Sequence, residues 1–186
     1  MLVTMASILI MFTMMYGASS RSHQVRLKET CAKNLQHIYV ALTTYSFDYD
    51  GRFPTVTNAQ SSEVPLSQLV PRYTTGTEFF ICPGSSEKPL PSAQSFADRR
   101  ISYAYYMGRR SSNGAGRSLM SDRQVNTLPK ALKEQLFSPD GKKPANNHHK
   151  FGGNILFCDG DIQVSPAKSA FALPLPPNVV LLNPKP

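Results

Sequence analysis

The sequence predicts an α+β chain, with one long N-terminal helix packed on a small antiparallel sheet. Three observations carry this. Residues 1–20 hold no charged side chain, and Met1–Tyr16 is apolar apart from Thr4, Ser7 and Thr13. Apolar residues then recur at Leu27, Cys31, Leu35, Ile38, Leu42, Tyr45 and Tyr49, one helical stripe that no Gly or Pro interrupts. Near the C-terminus, Asn154–Cys158 and Asp161–Val164 flank Asp159-Gly160, a hairpin signal in which both turn residues can take φ > 0.

Composition bounds the rest. A chain of 186 residues is one globular domain. Its 20 Lys+Arg against 12 Asp+Glu give a net charge of +8. A hydrophobic content of 41% excludes disorder throughout, and 3 Cys exclude a disulfide-dense mini-scaffold. No second long apolar run follows the first, which excludes a multi-span membrane protein.

The apolar start has three readings. A core helix apolar all round is unusual at the start of a small domain. A signal peptide would use Gly17-Ala18-Ser19-Ser20 as small cleavage residues, but it lacks a basic n-region. A membrane anchor is the reading preferred, although Met1–Tyr16 as a helix spans about 24 Å against a hydrocarbon core of roughly 30 Å. Arg21, Arg26 and Lys28 then conflict with an extracytoplasmic head under the positive-inside rule.

The elements follow in order. Residues 1–20 are the anchor half of the helix and 21–50 its amphipathic half, stopped by Asp50-Gly51 with Pro54 beyond. Residues 51–165 form the head. In it, 55–78 read as loop with a short helical piece near Leu66–Val70. Phe79–Cys82 is a short strand closed by Pro83-Gly84. Residues 84–98 are Ser/Pro-rich loop, Ile101–Tyr106 a strand, Arg109–Gly116 a loop and Ser118–Ser121 a short strand. After Pro129, Ala131–Phe137 suits a turn or two of helix. Residues 166–186 are a Pro-rich tail, expected to be extended and weakly ordered. The face from Leu27 to Tyr49 is expected to meet Phe80, Tyr103, Ile155, Phe157 and Ile162 of the sheet.

Cys31-Ala32-Lys33-Asn34-Leu35, followed by Ile38, Ala41-Leu42, Tyr45 and Gly51-Arg52-Phe53-Pro54, resembles the end of the long helix in bacterial type IV pilin-like proteins. Phe79-Phe80-Ile81-Cys82-Pro83, Ser102–Tyr105 and Ser121-Asp122-Arg123 fall in the family's order. His149 and Asp159-Gly160 have nine residues between them, similar to the H-x9-D-G signature of planctomycete and verrucomicrobial prepilin-like proteins. The resemblance spans residues 1–165. The family's basic leader and G-F-T-L-I-E block do not precede the apolar run, so the true start is expected upstream of Met1.

The resemblance implies a pseudopilin or prepilin-like structural subunit of a type II secretion or type IV pilus-like system, with no catalytic role. It would sit in the inner membrane as a single-pass protein with its head in the periplasm. Its partners would be other pilin-like subunits, the inner-membrane assembly platform and the lipid bilayer. The alternative is a membrane-anchored extracytoplasmic module that binds DNA or an anionic surface polymer without polymerising.

The motif residues Cys31, Asn34, Leu35, Cys82, Pro83, His149, Asp159 and Gly160 are the positions to follow. Cys31 and Cys82 both lie in family motifs, and in an oxidising compartment they suit a disulfide; two packed thiols are the other reading. No cofactor is expected, with one qualification. Some major pseudopilins hold calcium in a C-terminal loop, and Asp159 and Asp161 offer oxygens, although both also serve the turn. Zinc on His149 and Cys158 competes with a plain buried thiol, and His148 stands beside them. Asp48-x-Asp50-Gly51 mimics the start of an EF-hand loop without its later ligands. No nucleophile motif occurs. Arg99, Arg100, Arg109 and Arg110, with Arg117, Arg123 and nearby tyrosines, are candidate contacts to nucleic acid. The plainer reading is a solvated basic face or a subunit contact.

Overall fold

A computed structural model describes residues 2–186; within the first 21 residues it describes side chains only at Met5 and Met11. The chain is α+β. Helix α1 runs Leu2–Asp48, about 70 Å at 1.5 Å per residue. It ends where Asp50 and Gly51 take φ of 51° and 76° and the Gly51 N–H donates to the Ser46 carbonyl at 2.8 Å. The short helix α2, Glu63–Leu66, continues as a 3-10 turn over Ser67–Leu69.

Five strands follow: β1 Tyr103–Met107, β2 Ser118–Asp122, β3 Gly153–Phe157, β4 Ile162–Ser165 and β5 Val180–Leu182. They form one antiparallel sheet in the order β4-β3-β2-β1-β5. Ser118 pairs with Phe157 but Met120 pairs with Leu156, so Leu119 is an extra residue on β2. That bulge turns Leu119 and Met120 into the same core.

The helix stripe is buried from Cys31 through Leu35, Ile38, Ala41 and Leu42 to Tyr45, against Phe80, Tyr103, Tyr105, Leu119, Met120 and Leu156. Fully burying one such aliphatic side chain stabilises by about 1.5–3 kcal/mol. The other sheet face is covered too. Ile155 and Phe157 pack there with Leu136, Phe137 and Leu173, and Ala104 and Tyr106 with Val179 and Leu181.

Four expectations are corrected. Ile155 and Phe157 do not face the helix; Leu156 does. β3 is apolar on both faces, so its hydrophobic pattern could not tell which set points to α1. Phe79–Cys82 is not a strand, because Thr77–Phe80 makes a 3-10 turn. Cys82 is bonded to the helix there, and the Ile81 carbonyl accepts from Asn34 rather than from a neighbouring strand. Ala131–Phe137 is not helical: Lys130 bridges to Leu173 and Gln135 to Lys168, which puts Leu136 and Phe137 on the back of the sheet. The Pro-rich tail is not loose. Its Val180–Leu182 is strand β5 on the edge of β1, and the Lys185 N–H donates to buried Glu63 at 2.9 Å.

The membrane-anchor expectation for 1–20 falls on residues whose side chains, apart from Met5 and Met11, lie outside those described. Among the described residues, no helix is long and apolar enough to cross a membrane.

Candidate functional site

Four of the motif segments, those holding Cys31, Cys82, Ser102 and Asp122, meet where α1 enters the head. Cys31 and Cys82 are joined by a disulfide, with Cα atoms 5.3 Å apart and a sequence separation of 51. One turn along, Asn34 Nδ2 donates to the Ile81 carbonyl at 3.0 Å. Lys28 Nζ donates to the Phe151 carbonyl at 2.7 Å, and Asn154 Nδ2 donates back to the Lys28 carbonyl at 3.0 Å. Next along the helix, the His37 ring stacks on Phe79 with centroids 4.2 Å apart. Farther still, Tyr45 donates to Gln68, and Asp48 accepts from Arg72 and from the Tyr73 hydroxyl. The helix is thus held to the head by one covalent bond and a row of side-chain contacts from Lys28 to Asp48, more than five turns.

Behind the disulfide lies a closed polar centre on Asp122, the last residue of β2. Its carboxylate accepts from Asn147 Nδ2 at 3.0 Å and from the Asn154 N–H at 2.7 Å. His148 Nε2 stands 3.3 Å from Asp122 Oδ2 and 3.5 Å from Cys82 Sγ. Asp122 and His148 are fully buried. Burial alone would raise the Asp122 carboxyl. The His148 charge and the hydrogen bonds from His148, Asn154 and Asn147 outweigh it and hold the carboxyl below its usual range. Asn147 also donates to the Ser102 carbonyl, and the Ser102 hydroxyl accepts from the Cys82 N–H at 2.8 Å. Ser102, Asp122, Asn147, His148 and Asn154 therefore form one buried network under the helix. Sequence reasoning missed it as a unit. The available signal was an Asp ending a short apolar strand, a position where a buried acid demands partners.

His148 and His149 separate. His149 is exposed at φ 55°, with its ring against Gly141 rather than in the network. Asp159 and Gly160 form the β3–β4 turn. Gly160 alone there is left-handed, at φ 86°, and its N–H donates to the Phe157 carbonyl. Asp159 keeps negative φ, which corrects the expectation of positive φ at both residues: the loop is three residues with the glycine as its bulge. Asp159 and Asp161 are exposed, and their oxygens accept from the Asp161 N–H and from Gln163. Cys158 is a free buried thiol, and burial pushes it up to about 11. Pro83 leads into a turn in which the Ser85 N–H donates to the Cys82 carbonyl, and Leu35 lies in the core.

The basic stretch does not form one surface. Arg99 and Arg100 precede β1, whereas Arg109, Arg110 and Arg117 lie at the far end of the β1–β2 hairpin, about 14 Å of strand away. Arg109 does not fit an anion contact: it is 4% exposed, and its guanidinium donates to the Ser118 and Pro174 carbonyls. Arg99, Arg100 and Arg110 are exposed.

No family model, no curated protein and no solved structure matches the chain.

Proposed function

We propose that this chain is a pseudopilin or prepilin-like subunit of a type II secretion or type IV pilus-like machine. In this reading its fold is pilin-like, its apolar helix half lies in the inner membrane and its head is extracytoplasmic. It assembles through α1 with further pilin-like subunits on an inner-membrane platform, and catalyses no reaction. The observation that carries the reading is mechanical. Among the described residues, the C-terminal part of a 47-residue helix is embedded in the head, fixed by the Cys31–Cys82 bond and by hydrogen bonds at Lys28, Asn34 and Tyr39, about three turns. A subunit pulled by its helix needs the load passed to the sheet without slippage. A helix serving only as a tether does not.

The buried Arg109 and the divided basic stretch weaken the alternative of a nucleic-acid-binding module. Calcium at Asp159 and Asp161 stays a proposal within the pilin-like reading, with both carboxylates facing solvent.

The test is topology in cells. Full-length chain carrying alkaline phosphatase at its C-terminus should resist carbonate extraction from membranes and show phosphatase activity. An extractable protein, or an inactive cytoplasmic reporter, contradicts the reading.

A further inference from the structure

The disulfide, the histidine and the aspartate converge more tightly than a structural crosslink requires. One donor atom from each of Cys31, Cys82, Asp122 and His148 lies within 4.8 Å of every other, and all four residues are buried. A disulfide needs neither an acid nor an imidazole beside it, and here the two are buried as a pair against it. His148 Nε2 is the ring nitrogen turned into the cluster, and Nδ1 on the other side of the ring is buried with no hydrogen-bond partner among the described residues.

Two of the six donor-to-donor distances already match a tetrahedral zinc site, while the two sulfurs are bonded to each other and part only on reduction. Zinc bonds of about 2.3 Å to sulfur and about 2.0–2.2 Å to nitrogen and oxygen place sulfur and nitrogen about 3.5 Å apart, and nitrogen and oxygen about 3.4 Å apart. Cys82 Sγ to His148 Nε2 is 3.5 Å, and His148 Nε2 to Asp122 Oδ2 is 3.3 Å. Two edges of the polyhedron already stand at length around one imidazole nitrogen. The donor set of two thiolates, one imidazole and one carboxylate suits zinc and not calcium or magnesium.

We propose that Cys31, Cys82, Asp122 and His148 form a redox-gated zinc site, closed while the disulfide is intact and open to one metal ion when it is reduced. A dithiol reductant supplies the two electrons and two protons. Its own sulfurs join as a disulfide, and Cys31 and Cys82 become thiols. Zn2+ then displaces both thiol protons and the Nε2 proton of His148 to solvent and takes the two thiolates and the freed ring nitrogen. The His148 ring carries its proton on Nδ1, leaving the Nε2 lone pair for the metal, and Asp122 contributes an oxygen still oriented by Asn147 and the Asn154 N–H. Two thiolates and a carboxylate leave the site one negative charge in excess, and Lys28, which interacts electrostatically with Asp122, offsets it. A cavity of about 180 Å³ is lined by Gly84 and Asn147, which stand close in sequence to Cys82 and His148 without either of those two lining it. This set differs from the pairing of His149 with Cys158, which the fold keeps apart as one exposed ring and one buried thiol.

The experiment is anaerobic cobalt titration of the Cys158→Ala protein, oxidised and after reduction, followed by zinc. The reduced protein should take up one equivalent, show the strong visible bands of tetrahedral thiolate-bound cobalt, and lose them to one equivalent of zinc. The oxidised protein should show none. His148→Gln and Asp122→Asn should bind at least a hundredfold more weakly. Zinc-edge X-ray absorption on the reduced wild-type chain reads the donors without any substitution and should count two sulfurs and two lighter atoms. No stoichiometric uptake by reduced protein, folded or not, overturns the proposal. So does a first shell other than two sulfurs and two lighter atoms, or affinity unchanged in His148→Gln.

Discussion

The Tyr39 ring lies directly under Gly160. A Cβ on the glycine would stand 2.7 Å from the ring, while the Tyr39 hydroxyl donates to the Cys158 carbonyl at 3.0 Å. The β3–β4 turn therefore rests on the helix through one aromatic side chain. Gly160→Ala meets both that ring and a left-handed φ of 86°, and should destabilise by about 1–3 kcal/mol. Tyr39→Phe removes only the hydrogen bond and should cost about 1 kcal/mol. Urea unfolding of the two variants checks the ranking.

The Cys31–Cys82 bond closes a loop of 51 residues. Removing it as Cys31→Ser with Cys82→Ser should cost about 2–4 kcal/mol, much of it through the freer unfolded chain. Thermal unfolding with and without the double substitution measures the loss.

Much of this seam was legible beforehand. The 3-4 spacing from Leu27 to Tyr49 located the helix face, although Tyr49 at its end is 43% exposed, and Asp159-Gly160 located the hairpin, because both are local patterns. The network on Asp122 was not legible. Its members come from β1's approach, β2, β3 and the loop before it, and no periodicity links Ser102 to Asn147. The strand at Phe79–Cys82 was misread for a related reason. Its apolar run is satisfied by tertiary contact with α1, not by pairing. His149 drew attention through the motif count, while its neighbour His148 is the buried one.

Asp122 makes stability depend on pH. Its carboxyl titrates below the ordinary aspartate value when folded, so its contribution is complete above about pH 4, the unfolded value. It is lost as pH falls through the lower folded value. Asp122→Asn should be about 3 kcal/mol less stable than wild type at neutral pH, because His148 and two donors lose their charged partner. That gap should narrow as pH drops below about 4. A constant gap across the range would show that the charge is irrelevant.

The Cys158 thiol, raised to about 11 by burial, should not react with a thiol reagent at pH 8 in the native protein. It should react fully once the chain is unfolded. Mass spectrometry after alkylation distinguishes the two states.

Glu63 holds the tail to the head. Its buried carboxylate accepts from the Ile101 and Lys185 N–H groups at 3.2 and 2.9 Å. Glu63→Ala leaves both donors without that acceptor and should cost about 2 kcal/mol. Hydrogen exchange at β5 should rise more than at β3, since β5 has only β1 beside it.

The claim that the head is carried on an assembling helix is tested most directly in membranes. Val40 and Phe47 are exposed on α1, at 64% and 82%. Cysteine at each position, in a Cys158→Ala background, should be joined between copies by a bismaleimide added to intact cells or membranes producing the chain with its assembly partners. The account predicts a ladder of multimers from at least one of the two positions. Monomer alone from both, with the protein present and folded in the membrane fraction, would contradict it.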